Sequence, residues 1–142
     1  MKTNCSVFLI DNDKDEEMLF NDIIDHYNLP FTVHHFSTLE QMKSYLKTGD
    51  LPDGIILNVS PWQKGWVEWL KEVKNDPSFA NIPVILYCIN FNYEMENLQS
   101  LPSIFCHYQK PTTGKGFIDI LQKIQDCTTE GQLKKVKETM QH

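Results

Sequence analysis

This sequence predicts an α/β fold, a three-layer (βα)5 arrangement around a parallel five-stranded sheet, and three observations predict it. Short apolar runs alternate five times with segments of helical periodicity. Such alternation gives a parallel sheet between two helix layers, joined by right-handed crossovers. Several of the runs, Ile55-Ile56-Leu57 and Val84-Ile85-Leu86 above all, are apolar without a break, as in strands covered on both faces. The 142 residues also fit one domain, with no long linker or shift in composition. A sheet of this size is expected in the order 2-1-3-4-5. That order sets the carboxyl ends of strands one and three side by side, where open α/β sheets bind their ligands.

The elements follow in order. Residues 7–10 form the first apolar run and break into Asp11-Asn12-Asp13. Met18, Leu19, Ile23, Ile24 and Tyr27 then recur at helical spacing, so a helix is expected over 13–27, with Asp13 as N-cap and Glu16 three residues on. Asn28-Leu29-Pro30 stops it, and 31–36 alternates as a strand. Ser37-Thr38-Leu39-Glu40 reads as a capping box opening a second helix, with Leu39, Met42, Tyr45 and Leu46 on one face and Gly49 at its end. The third strand, 54–58, ends abruptly at Asn58. A turn with Pro61 and Gly65 leads to a helix bearing Trp66, Val67, Trp69, Leu70 and Val73. The fourth strand is 83–87, followed by a weaker helical segment at 90–100. The fifth strand is 104–108, and a last helix carries Phe117, Ile118, Ile120, Leu121 and Ile124. Domain boundaries are read as 1–127, with 128–142 a helical extension or tail.

A net charge of −6 argues against a nucleic-acid surface. No apolar run reaches the roughly 18–20 residues that span a bilayer, and the amino terminus lacks a signal-peptide layout, so the expectation is a cytoplasmic protein with no membrane partner. The four cysteines, Cys5, Cys88, Cys106 and Cys127, form no CxxC pair, and Cys5, Cys88 and Cys106 read as small buried apolar residues.

The expected topology gathers Asp11, Asn12 and Asp13 after strand one, Asn58 after strand three, Cys88 after strand four and Lys110 after strand five. Carboxylates facing a lysine suit a hard divalent cation with a phosphate. Read singly, acidic residues at strand ends are also turn formers and caps. As a set, IDND at 10–13, PDGIILN at 52–58, GWVEWLKEVKNDPSFANIPVIL at 65–86 and QKP at 109–111 resemble the receiver domain of bacterial response regulators, over residues 5 to about 126. The resemblance, to a receiver of the chemotaxis response regulator type, implies a flavodoxin-like fold and two-component or phosphorelay signal transduction. In that family Mg²⁺ assists phosphoryl transfer onto an aspartate ending strand three.

The sequence departs from that pattern at its working positions. Asn58 stands at the phosphoacceptor position, and a neutral amide cannot form an aspartyl phosphate. Asn12 replaces the second member of the acidic pair, Pro61 makes the following loop one residue short, and Cys88 and His107 occupy the hydroxyl and aromatic switch positions. Lys110 and Pro111 match the family. The reading is therefore a degenerate, stand-alone receiver without enzymatic activity. It would act through protein–protein contact on a face that includes Phe91, Tyr93, Phe105 and His107. Its partner would be a histidine kinase, a phosphotransfer protein or another signalling protein, and the chain itself a monomer or weak homodimer. No cofactor is expected, and Mg²⁺ binding at Asp11, Asn12 and Asp13 would be weakened. Two alternatives stand beside it. One is a receiver that keeps Mg²⁺ binding or takes phosphate on Asp11 or Asp13. The other is a flavodoxin-like small-ligand binder, disfavoured because no Gly-rich loop follows strand one. Trp62 reads either as a lid over the crevice or as an exposed anchor, and Trp66 and Trp69 as core.

Overall fold

Runs rich in Val, Ile and Phe become β1 (Cys5–Ile10), β2 (Phe31–Phe36), β3 (Gly54–Val59), β4 (Val84–Cys88) and β5 (Ile104–His107), all parallel. The helices are α1 (Lys14–His26), α2 (Leu39–Leu46), α3 (Trp66–Lys74) and α4 (Gly114–Met140). The computed structural model describes residues 4–59, 65–88, 104–107 and 113–140, without the side chains of Val59, Cys88, Cys106, His107 and 129–140. The helical segment expected at 90–100 and the tryptophan at position 62 lie outside the described residues. The sheet order is β2-β1-β3-β4-β5, as the sequence predicts.

Residues in register on parallel strands point to the same face, so the pairing decides which layer each side chain joins. Ile10 pairs with Leu57 and Leu57 with Leu86. This level faces α2 and α3 and packs with Phe8, Met42, Trp66, Trp69 and Leu70. Leu9 pairs with Ile56, Ile56 with Ile85, and Ile85 with Phe105. That level faces α1 and α4 and packs with Phe20, Ile24, Phe117, Leu121 and Ile124. Each such fully buried side chain contributes about 1.5–3 kcal/mol of transfer free energy, which is why the apolar runs rather than helix propensity hold the layers. Trp66 and Trp69 are core, as expected, and Cys5 is buried.

The helix starts follow local chemistry. Asp13 caps α1, its Oδ1 accepting from the Asp15 amide at 3.0 Å. Asn28, at φ 51°, turns the chain out of α1 in the left-handed region that Asn tolerates. In α2 the cap is Thr38, not Ser37: Thr38 Oγ1 accepts from the Gln41 amide at 3.3 Å, and Gln41 Oε1 accepts from the Ser37 amide at 2.8 Å. The box therefore sits one residue later than the sequence suggested, because Gln41 supplies the returning side chain that Glu40 was expected to supply. α3 begins after Gly65 at φ 79°, a conformation that excludes a side chain at little cost only for glycine. Gly54 is required for space: a Cβ there would lie 2.5 Å from Ile124 Cγ2, so β3 and α4 meet backbone to side chain.

Candidate functional site

The carboxyl ends of β1 and β3 converge because β1 and β3 are neighbours in the sheet. Asp11 follows β1 directly, and its amide donates to the Phe36 carbonyl at 3.0 Å, extending the β1–β2 ladder by one bond. Its side chain is fully buried. Asp11 Oδ1 accepts from the Asp13 amide at 3.0 Å and from Asn58 Nδ2 at 3.2 Å. The second bond joins residues 47 positions apart and closes the crevice between the two strands. The Asp11 carbonyl is held too: it lies 2.6 Å from His35 Nε2, which donates to it, and His35 Nδ1 lies 3.9 Å from Glu17 Oε2.

Asn58 is buried, and its Oδ1 has no hydrogen-bond partner among the described residues. Since the amide nitrogen points to β1, the oxygen points away from Asp11. Asn58 is in register with Tyr87 on β4, and Tyr87 with His107 on β5. One level below, the same face carries Leu9, Ile56, Ile85 and Phe105, so the sheet changes from apolar to polar in a single step at its carboxyl edge. The Tyr87 hydroxyl is buried, without a hydrogen-bond partner among the described residues. Burial, and secondarily the charges of Glu16 and Asp11, push its phenol well above the ordinary range, so it stays neutral. Glu16 itself is buried in the first turn of α1.

Of Asp11, Asn12 and Asp13, only Asp11 is buried. Asn12 and Asp13 are exposed, and the Asp13 carboxylate is engaged at the α1 amino terminus. A divalent cation needs several oxygen ligands turned toward one point. Here an N–H of Asn58 is directed at Asp11, and among the described residues no group of three or more His, Cys, Asp or Glu side chains is placed to hold a metal. Among the described residues, these donors do not converge on one point as a hard cation requires. An amide at position 58 also offers no carboxylate oxygen to a phosphoryl group. What the arrangement can do is hold the two strand ends together with a neutral donor.

Asp11, Asn58 and Asp13 are thus brought to one crevice mouth, and Asn12 stands beside it. Lys110, Pro111, Phe91 and Tyr93 lie outside the described residues. Cys88 ends β4 and His107 ends β5, with their side chains likewise outside. Phe105 is half-buried on β5 under Lys123 Nζ, 4.8 Å from the ring centroid. Sequence reasoning missed three contributors, Glu16, Tyr87 and His35. Glu16 carried a signal, since it precedes the buried Phe20 and Ile24 at four-residue spacing on the core stripe of α1. Tyr87 and His35 carried none beyond lying in strands.

No protein-family model and no curated protein matches the chain. Solved structures do. A two-component response regulator from Legionella pneumophila is 18% identical, with a TM-score of 0.71 over 87% of this chain and 99% of that one. The phosphorylated cyanobacterial phytochrome response regulator RcpA is 22% identical, with a TM-score of 0.63 over 87% and 92%. The Mn²⁺-bound response regulator Rcp1 is 17% identical, with a TM-score of 0.64 over 85% and 91%. The chain has the flavodoxin-like fold of response regulator receivers.

Proposed function

We propose that this receiver-fold protein serves two-component or phosphorelay-type signal transduction without being phosphorylated, acting by protein–protein interaction. The observation that carries this reading is the buried Asn58 Nδ2 to Asp11 Oδ1 hydrogen bond of 3.2 Å. It replaces the repulsion between two carboxylates, which a cation would otherwise offset, with attraction between a neutral donor and one carboxylate. The crevice then has one stable arrangement, and chemistry there is not needed to reach it. Asp11 is a poor substitute acceptor because it is fully buried and already takes two donors; Asp13 is held at the helix cap.

The docking face in this reading comprises β5 with Phe105 and His107, the neighbouring part of α4, and Phe91 and Tyr93 from the preceding segment. The half-buried Phe105 beneath Lys123 supports it, since an aromatic with a cationic neighbour is a common anchor type. The partner is a histidine kinase, a phosphotransfer protein or another signalling protein. The test is exposure to Mg²⁺ and acetyl phosphate, followed by intact-mass measurement. The expected result is no gain of a phosphoryl group on any aspartate. A stoichiometric gain, lost in Asp13→Ala or Asp11→Ala, would instead establish an alternative acceptor.

A further inference from the structure

β2 stands at one edge of the sheet, and among the described residues no strand pairs with it on the side away from β1. The phase of its ladder is fixed at both ends. The Cys5 amide donates to the Pro30 carbonyl at 2.8 Å, and the Asp11 amide to the Phe36 carbonyl at 3.0 Å. Main-chain groups along a strand alternate between its two sides, so Thr32, His34 and Phe36 turn theirs to β1, while Phe31, Val33 and His35 turn theirs outward. The Phe31 amide is already taken by the Leu29 carbonyl at 2.9 Å. The edge therefore offers the Val33 and His35 amides as donors and the carbonyls of Phe31, Val33 and His35 as acceptors.

Proteins ordinarily blunt such an edge with lysine, proline, an inward-pointing charge or a bulge. Residues 31–36, Phe-Thr-Val-His-His-Phe, include no Lys, Arg, Asp, Glu, Pro or Gly, and their register with β1 runs without a bulge from Phe31 to Phe36. Thr32 is exposed, and Val33, His34 and Phe36 are half-buried. Tyr45 of α2, 38% exposed, stacks on His34 with ring centroids 6.2 Å apart and adds apolar surface beside the edge. The acid that meets the strand, Glu17, does so from α1, 3.9 Å from His35 Nδ1.

We propose that β2 pairs antiparallel with β2 of a second copy of this chain, about a two-fold axis at Val33. The two Val33 residues exchange a pair of hydrogen bonds, and each His35 amide donates to the Phe31 carbonyl of the other copy, so every outward donor has an acceptor. An axis at His34 would also use every donor, but it sets imidazole against imidazole at the closer, non-hydrogen-bonded spacing. The Val33 axis instead sets Val33 on Val33, Thr32 across from His34, and Phe31 across from His35. An uncharged strand suits a second copy of a chain whose net charge is −6, because no strand carboxylate is brought against another. A foreign peptide could use the same groups but would leave its own far edge open, whereas the two-fold pair joins two sheets and closes both β2 edges. β5 is the opposite edge of the sheet, so the dimer leaves the proposed β5–α4 docking face of each copy free and presents two of them.

The test follows the full chain from about 10 μM to about 1 mM, the range of a small interface, by sedimentation and by residue-resolved amide hydrogen exchange. The expected result is a concentration-dependent dimer in which the Val33 and His35 amides gain protection in step with the dimer fraction. The amides of Thr32, His34 and Phe36, already bonded to β1, should change least. A chain that stays monomeric to the highest concentration overturns the proposal, as does a dimer whose Val33 and His35 amides exchange at the monomer's rate. Val33→Cys under mild oxidation reads the register. Residues paired at the axis have Cα atoms about 5.5 Å apart, within reach of a disulfide, and peptide mapping should find the bridge between the two copies at position 33. Thr32→Cys places its two Cα atoms about 8 Å apart, beyond that reach, and should give none. Equal yields from the two variants overturn the pairing. Phosphoryl gain at the crevice is a separate mass measurement, so failure of either reading is told apart from failure of the other.

Discussion

Asn58→Asp is the most informative perturbation of the crevice. The substitution keeps the shape of the side chain and turns a donor 3.2 Å from Asp11 Oδ1 into a carboxylate oxygen. Two unit charges at that distance repel by about 5 kcal/mol at an effective dielectric of ~20. Proton uptake by the pair limits the cost. Holding one carboxyl protonated at pH 7, about three units above its ordinary pKa, takes about 4 kcal/mol. The expected destabilisation is thus about 3–4 kcal/mol at pH 7. The folded variant binds a proton that the unfolded chain has released, so its stability falls as pH rises from about 4 toward the raised pKa of the pair. By pH ~4 the deficit should shrink to the lost hydrogen bond, about 1 kcal/mol. Urea unfolding at pH 4, 5.5 and 7 measures this, with and without Mg²⁺, which should recover part of the loss only in the variant. A variant as stable as the parent at pH 7, with no pH dependence of its own, would refute the contact.

Three further outcomes follow from the packing. Tyr87→Phe removes a buried hydroxyl that has no partner among the described residues, and should leave stability unchanged or raise it by up to about 1–2 kcal/mol in denaturant unfolding. Gly54→Ala places a methyl 2.5 Å from Ile124 Cγ2 and should cost about 1–3 kcal/mol, read as a lower urea midpoint with unchanged slope. The Lys74 pKa is lowered to about 8 in the folded chain, which sheds its proton there while the unfolded chain keeps its own to about 10.5. This group's contribution to stability therefore rises between pH 8 and 10.5, and the parent should gain on Lys74→Met across that window. A constant difference between the two would show an ordinary lysine.

The layer architecture was legible because it depends on periodicity alone. An unbroken Ile55-Ile56-Leu57 can only be satisfied with cover on both faces, and five strand-like runs alternating with helical periodicity lead to the sheet order that is observed. The convergence of Asp11 and Asn58 followed from that order before any distance was known. What stayed hidden was direction. Glu16 reads as a cap partner by spacing, yet three-dimensional packing turns it into the core, and Gln41 rather than Glu40 completes the α2 cap. Helix-terminus choices differ by about a kilocalorie, and tertiary contacts decide them.

The sequence by itself determined the chemistry available to the crevice: an amide at position 58 has no carboxylate to phosphorylate, whatever surrounds it. Only the tertiary structure decided what that amide does. Its nitrogen is turned to Asp11, and its oxygen is turned away, at the level of Tyr87 in the sheet. The reason is physical. Composition fixes which groups are donors and acceptors, while the direction of a hydrogen bond between residues 47 apart exists only once register and burial have set the two strand ends against each other.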